Sequence, residues 1–168
     1  MHAPTPHARQ DALRSVLVEA QERLRAVLDR VGPEDWGRHG RNEGWTVHSL
    51  LIHLATAEAG FVSSLRRMAT GGGGAAPDFD PDRWNAGQLR RRGEAPPHEL
   101  RAELEAAHAQ MLELLAGLDQ AALDQRGHLS SGEDGTLEDG FRLVARHKRG
   151  HTRDIETALA LRPSAGSG

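Results

Sequence analysis

Four stretches of this 168-residue chain place apolar side chains three or four positions apart, and no stretch of useful length alternates apolar with polar. The first spacing puts an apolar stripe on one face of a helix; the second is what a half-buried strand requires. The chain is therefore restricted to helices packed on helices. The first run is Leu13, Leu17, Ala20, Leu24, Val27, Leu28 and Val31, and Gly32-Pro33 stops it. After a connection containing Trp36 and Trp45, Thr46 is placed to cap a second helix through Val47, Leu50, Leu51, Leu54, Phe61, Val62 and Leu65, which fades near Gly71. Pro97 opens a third helix bearing Leu100, Leu104, Met111, Leu112, Leu115 and Leu118. Thr136-Leu-Glu-Asp139 matches a capping box for a fourth, which runs through Phe141, Val144, Ile155 and Leu159 to Pro163.

These segments predict an all-α four-helix bundle in a single domain over residues 1–168, with its core at about 12–161. Gly71 to Gly74, Pro77, Pro81 and Pro96-Pro97 break up the segment between the second and third helices. At about 26 residues it exceeds what an up-down bundle needs, so a long crossover is expected there. Residues 71–81 are expected to be a flexible loop and Trp84 to Arg92 to hold one helical turn, while the tail from Ser164 to Gly168 should fray.

A net charge of −3 argues against a nucleic-acid surface, which needs a basic excess. The absence of cysteine excludes disulfides, a thiolate metal site and a cysteine nucleophile of the chain's own, so any thiol chemistry needs a thiol from outside. The apolar-leaning stretch Gly44 to Ala57 is too short to span a membrane, and Met1-His2-Ala3-Pro4 has no signal-peptide apolar region; a cytoplasmic location is expected. Lys148 is the one lysine among 21 basic residues, which reads as a compositional preference for arginine.

Of ten histidines, His2, His7, His39, His98 and His128 fall near the terminus, in loops or at helix starts, where nothing holds them as ligands. His147 and His151 differ. Four residues apart on the fourth helix, they lie about 40° apart around its axis and continue its buried phase, so both rings can reach one point. Alone, such a pair fits a metal site, surface histidines or hydrogen-bonded core histidines. His53 on the second helix, with Ser49, Leu50, Ala57 and Gly60 on its face, offers a third ligand and room beside it. His48 should face solvent or a loop, and His108 faces the core, either as a hydrogen-bonded histidine or as a fourth ligand.

Gly44-Trp45-Thr46 leading into His53-Leu-Ala-Thr-Ala-Glu58, then Trp84-Asn85, then His147-Lys-Arg-Gly-His151-Thr-Arg-Asp154, resembles the DinB/YfiT-like superfamily of small helical bundles over nearly the whole chain. The resemblance implies a divalent metal held by His53, His147 and His151. Where many relatives have glutamine this chain has Asp154, placed to orient a metal-bound water or a histidine, or to pair with Arg153 or Arg149. Glu58 matches an acidic position of the family and has either an outer-shell or entrance role or that of an ordinary helix-surface carboxylate.

Three imidazoles with no thiolate and no obvious fourth ligand leave an open coordination position, as catalytic metals require. Imidazole suits zinc, nickel, iron or copper, and zinc or nickel is favoured. By resemblance to transferases that use bacillithiol or mycothiol and to thiol-dependent maleylpyruvate isomerases, the chain is expected to be a metal-dependent transferase joining a low-molecular-weight thiol to a small electrophile. Arg90, Arg91, Arg92 and Arg149 are candidates for holding such a thiol's polar groups, or form a solvated basic cluster. The alternatives are a hydrolase of a small amide or ester, with Asp154 or Glu58 as proton acceptor, and a non-catalytic metal-binding stress-response bundle. The family also makes a homodimer plausible. Trp36, Trp45 and Trp84 serve a core, an interface or a pocket wall.

Overall fold

A computed structural model describes residues 7–40 and 44–161. Pro163 and the expected frayed tail lie outside the described residues, as does His2. Five helices run in chain order: α1 (Ala8–Leu28), α2 (Val47–Ala69), α3 (Pro81–Arg92), α4 (Pro97–Ala116) and α5 (Leu137–Ala160). Two three-residue strands, β1 (Arg126–His128) and β2 (Asp134–Thr136), precede α5 and pair antiparallel with Gly127 opposite Gly135. The four expected helices are α1, α2, α4 and α5. No helix of the described residues is long and apolar enough to cross a membrane.

The caps sit where the sequence placed them. Thr46 Oγ1 accepts from the Ser49 amide at 3.1 Å while Ser49 Oγ accepts from the Thr46 amide at 2.8 Å, so two otherwise orphaned donors are satisfied at the start of α2. Thr136 and Asp139 do the same for α5, at 3.1 and 2.8 Å. One reading needs correction. Trp84 to Arg92 is no single turn but part of the twelve-residue α3, because Asp80 accepts from the amides of Asp82 and Arg83, both at 3.0 Å, and Pro81 occupies the first helical position. The glycine run meets β1 through hydrogen bonds: His128 N donates to Gly73 O and Ala75 N to His128 O, both at 2.8 Å, and Arg67 reaches Gly74 O through Nε and Nη2. Gly74 sits at φ +87°, and a Cβ there would lie 2.5 Å from His128 O, so only glycine lets the loop meet β1.

α1 packs against α5 and α4, and α2 against α4 and α5, which sets α1 and α2 on one diagonal of the bundle. Arg9 meets Glu138 and Arg23 meets Glu156, so α1 and α5 run parallel. His48 Nε2 bonds Ala95 O just before α4, and Glu58 faces His108 further along, so α2 and α4 also run parallel. Parallel neighbours need a return path. The long crossover is that path, and α3 is built into it.

The apolar core falls into two clusters. One gathers Leu13, Leu17, Val62, Met111, Phe141 and Val144; the other gathers Leu24, Leu51, Leu54, Leu104 and Ile155. Between them each bundle helix contributes one buried polar residue: Gln21, Glu58, His108 and Lys148. α2 and α5 approach closely at Gly140, where a Cβ would lie 2.4 Å from Leu65 Cδ2.

Candidate metal centre

His53 on α2 and His147 and His151 on α5 come together at the side of the bundle. Their ligand atoms all lie within 4.8 Å of one another, the one such group of metal-ligating side chains among the described residues. The four-residue step on α5 stacks two rings on one face, and the antiparallel α2 brings the third against them, with His53 Nε2 2.8 Å from His147 Nε2. Outer contacts fix which nitrogen points inward. His53 Nδ1–H donates to Asn85 Oδ1 at 3.0 Å, and His151 Nδ1–H donates to Asp154 Oδ2 at 3.0 Å. Each of these rings therefore keeps Nε2 free for a ligand, the usual arrangement around a metal-binding histidine.

Burial holds two of the rings neutral. Desolvation, reinforced by the neighbouring His151, pushes His53 down to about 4; desolvation, then His53 and His151, push His147 down to about 3. A divalent cation needs unprotonated imidazoles, and His53 and His147 supply them at neutral pH. The donor set of three imidazole nitrogens thus fits a divalent metal. No fourth His, Asp or Glu joins the group among the described residues.

Two cavities reach the triad. A small one of about 170 Å³ is lined by Gly40, Trp45, Leu50, His53, Asn85, His151 and Asp154. A larger one of about 530 Å³ opens past His53, Asn85 and His147 onto Phe61, Phe79, Trp84 and Leu143. His53 and Asn85 stand on both.

The remaining candidates are dispersed. Glu58 is neither an entrance group nor a surface carboxylate: it is buried and takes a hydrogen bond from Lys148 Nζ at 2.8 Å. Lys148 also donates to Gln21 Oε1 at 2.7 Å and to His108 Nδ1 at 3.3 Å, so the three protons of the ammonium meet three acceptors. Burial pulls the lysine below its ordinary value while Glu58 pulls it back. His108 belongs to this cluster and is no fourth ligand. Asp154 is bonded to His151 rather than to Arg149 or Arg153. Arg90 lines a separate groove on the outer side of α3 with Arg83 and Arg91, and Arg149 lines neither cavity at the triad. Asn85 is the functional contact that sequence reasoning left without a role. Its signal was the Asp80-Pro81 helix start, which sets Trp84-Asn85 on a helix rather than in a loop.

The geometry defines a class: a helical bundle whose crossing strands of chain gather three imidazoles from two helices beside a cavity. The chain belongs to the DinB superfamily, whose family model matches residues 17–155. Among solved structures it is similar to the mycothiol-dependent maleylpyruvate isomerase, at 16% identity and TM-score 0.77 over 88% of this chain and 61% of that one. It thus spans less than two thirds of the isomerase. It is also similar to YfiT from Bacillus subtilis, described as a probable metal-dependent hydrolase with an unusual four-helix bundle topology, at 21% identity and TM-score 0.73 over 91% and 89% of the two chains. An uncharacterised protein from Escherichia coli UTI89 shares the fold at 15% identity and TM-score 0.72, over 90% and 92%. No curated protein matches in sequence. At these identities the likeness is one of fold.

Proposed function

We propose that the chain holds one divalent metal on His53, His147 and His151 and is a transferase that joins a small thiol to an electrophilic substrate. The observation that supports this best is the meeting of three imidazoles, with no fourth protein ligand among the described residues, where two cavities adjoin. A bound divalent ion there supplies Lewis acidity, lowering the pKa of a thiol or a water in the open position. The protein's own groups do the rest. Asn85 and Asp154 hold two rings in the ligating tautomer, and the apolar wall of Phe61 and Trp84 limits water on one side. In the transfer, the thiol sulfur bonds to an electrophilic carbon and the leaving group departs with its electron pair. The thiol proton passes to a base, a place Asp154 can fill from the small cavity. Zinc or nickel suits three nitrogen donors.

A second reading, hydrolysis of a small amide or ester, is favoured by the same Asp154, which can take a proton from water. The mycothiol dependence of one fold relative and the hydrolase description of another support the two readings in turn. The test is elemental analysis of untagged protein beside His53→Ala and His147→Ala, followed by turnover of electrophiles and esters with and without added thiol. Metal lost in both variants and turnover only with thiol are expected. Turnover without thiol would transfer the assignment to a hydrolase, and protein that takes up neither zinc nor nickel would end both readings.

A further inference from the structure

The larger cavity has a chemical character that narrows the second substrate. Its walls are Phe61 on α2, Leu143 on α5, and Phe79 and Trp84 on the crossover, with the Phe79 and Trp84 rings 6.3 Å apart in a tilted pair. Ala57 and Gly60 keep the α2 side open. Its volume of about 530 Å³ lies within the range of small-molecule sites. One charged side chain, Arg67, lines it away from the histidines; its Nε–Nη2 edge closes on Gly74 O at 3.1 and 2.9 Å, and Nη1 donates to Ser63 Oγ at 3.0 Å, partners that carry no charge. The other polar lining is neutral: Ser63, Ser64, Ser130, Ser131 and Asn85.

We propose that this cavity seats an aromatic substrate, its ring between Phe61, Phe79 and Trp84 and its reacting atom toward His53 and His147. This rests on the two-substrate reading above, and it assigns the polar thiol to the smaller cavity, beside Trp45, Asn85 and Asp154. Flat rings favour an aromatic guest through offset and edge contacts, beyond the area they bury.

The tryptophans make the assignment measurable, because Trp84 lines the larger cavity and Trp45 the smaller. Anisole is titrated into metal-loaded and metal-free protein while the indole N–H resonances are followed, each assigned with a Trp→Phe variant. Anisole is expected to shift Trp84 and leave Trp45 in place in both forms. Gly60→Leu should abolish the anisole shift while metal is retained. Gly60 is exposed on α2 and a Cβ there meets Trp84 only at 3.8 Å, so the helix gains propensity and the added side chain extends toward the cavity.

An unmoved Trp84, an equal response at Trp45, or a shift that survives Gly60→Leu would each overturn the proposal. Anisole binding needs no metal, so the two readings fail separately. Protein that holds metal but ignores anisole defeats the cavity assignment alone. Protein that binds anisole but takes up no metal defeats the transferase reading alone.

Discussion

His147 and Lys148 are neighbours on α5 and sit in opposite electrostatic worlds. Lys148 points into the middle of the bundle, where Glu58, Gln21 and His108 spend all three of its protons on protein acceptors. His147 points to the side, where its neighbours are two more imidazoles and a phenyl ring, with no opposite charge beside it. The first cluster is closed: it takes one residue from each bundle helix, and the Lys148 and Glu58 side chains are 1% and 2% exposed. The second is open on two cavities. A polar cluster that satisfies itself can only hold the fold together, whereas one whose ring nitrogens converge with no opposite charge beside them is suited to a cation from outside.

That contrast is easiest to break at Lys148. Replacing it by methionine strands the Glu58 carboxylate in the core and is expected to cost about 3–5 kcal/mol, read by chemical denaturation. Glu58→Leu combined with Lys148→Met should recover most of the loss, since the pair's desolvation penalty goes with its attraction. Equal losses in the single and double variants would show that the layer does not act as a pair. Acid comes next. In metal-free protein His53 and His147 titrate at about 4 and about 3, below the ordinary imidazole value of 6.5. The unfolded chain therefore binds protons first as pH falls below 6.5, so stability present above that value is lost progressively down to about pH 3. Denaturation midpoints across this window should fall steeply for the wild type and less steeply for His53→Ala with His147→Ala.

Asn85→Ala removes the group that orients His53, and metal affinity is expected to drop about 10- to 100-fold in a competition titration with a chelator. The smallest effect separates the two clusters most cleanly. His147→Ala should change metal-free stability by about 1–2 kcal/mol, because the one hydrogen bond lost is that to His53 Nε2 and no charge is stranded, while metal binding is lost. A penalty matching that of Lys148→Met would erase the distinction.

The two clusters were also unequally legible in the sequence. The triad was readable because its chemistry rides on helical phase: His147 and His151 are four apart and continue the stripe of Val144 and Ile155. The central layer was not. Glu58 and Lys148 are 90 residues apart, and nothing local distinguishes a carboxylate about to be buried from one on the surface. The lone lysine was the available signal, and it was attributed to composition. The bundle helices announced themselves through long apolar stripes, but α3 buries only Gly87 and so has almost no stripe to read; its cap, Asp80-Pro81, was the better indicator. β1 and β2 are three residues each, too short for alternation to register.

The parallel pairing of α1 with α5 has a consequence for how such a chain matures. Arg9 and Glu138 meet across 129 residues of sequence, so the apolar stripe of α1 waits for its main partner until α2, α3 and α4 have been synthesised. Two of the three histidines arrive on that same late helix. A nascent chain that has made only α1 to α4 presents His53 by itself, and one imidazole would grip a metal ion weakly. On the proposed metal site, capture of the ion would thereby coincide with closure of the bundle around α5.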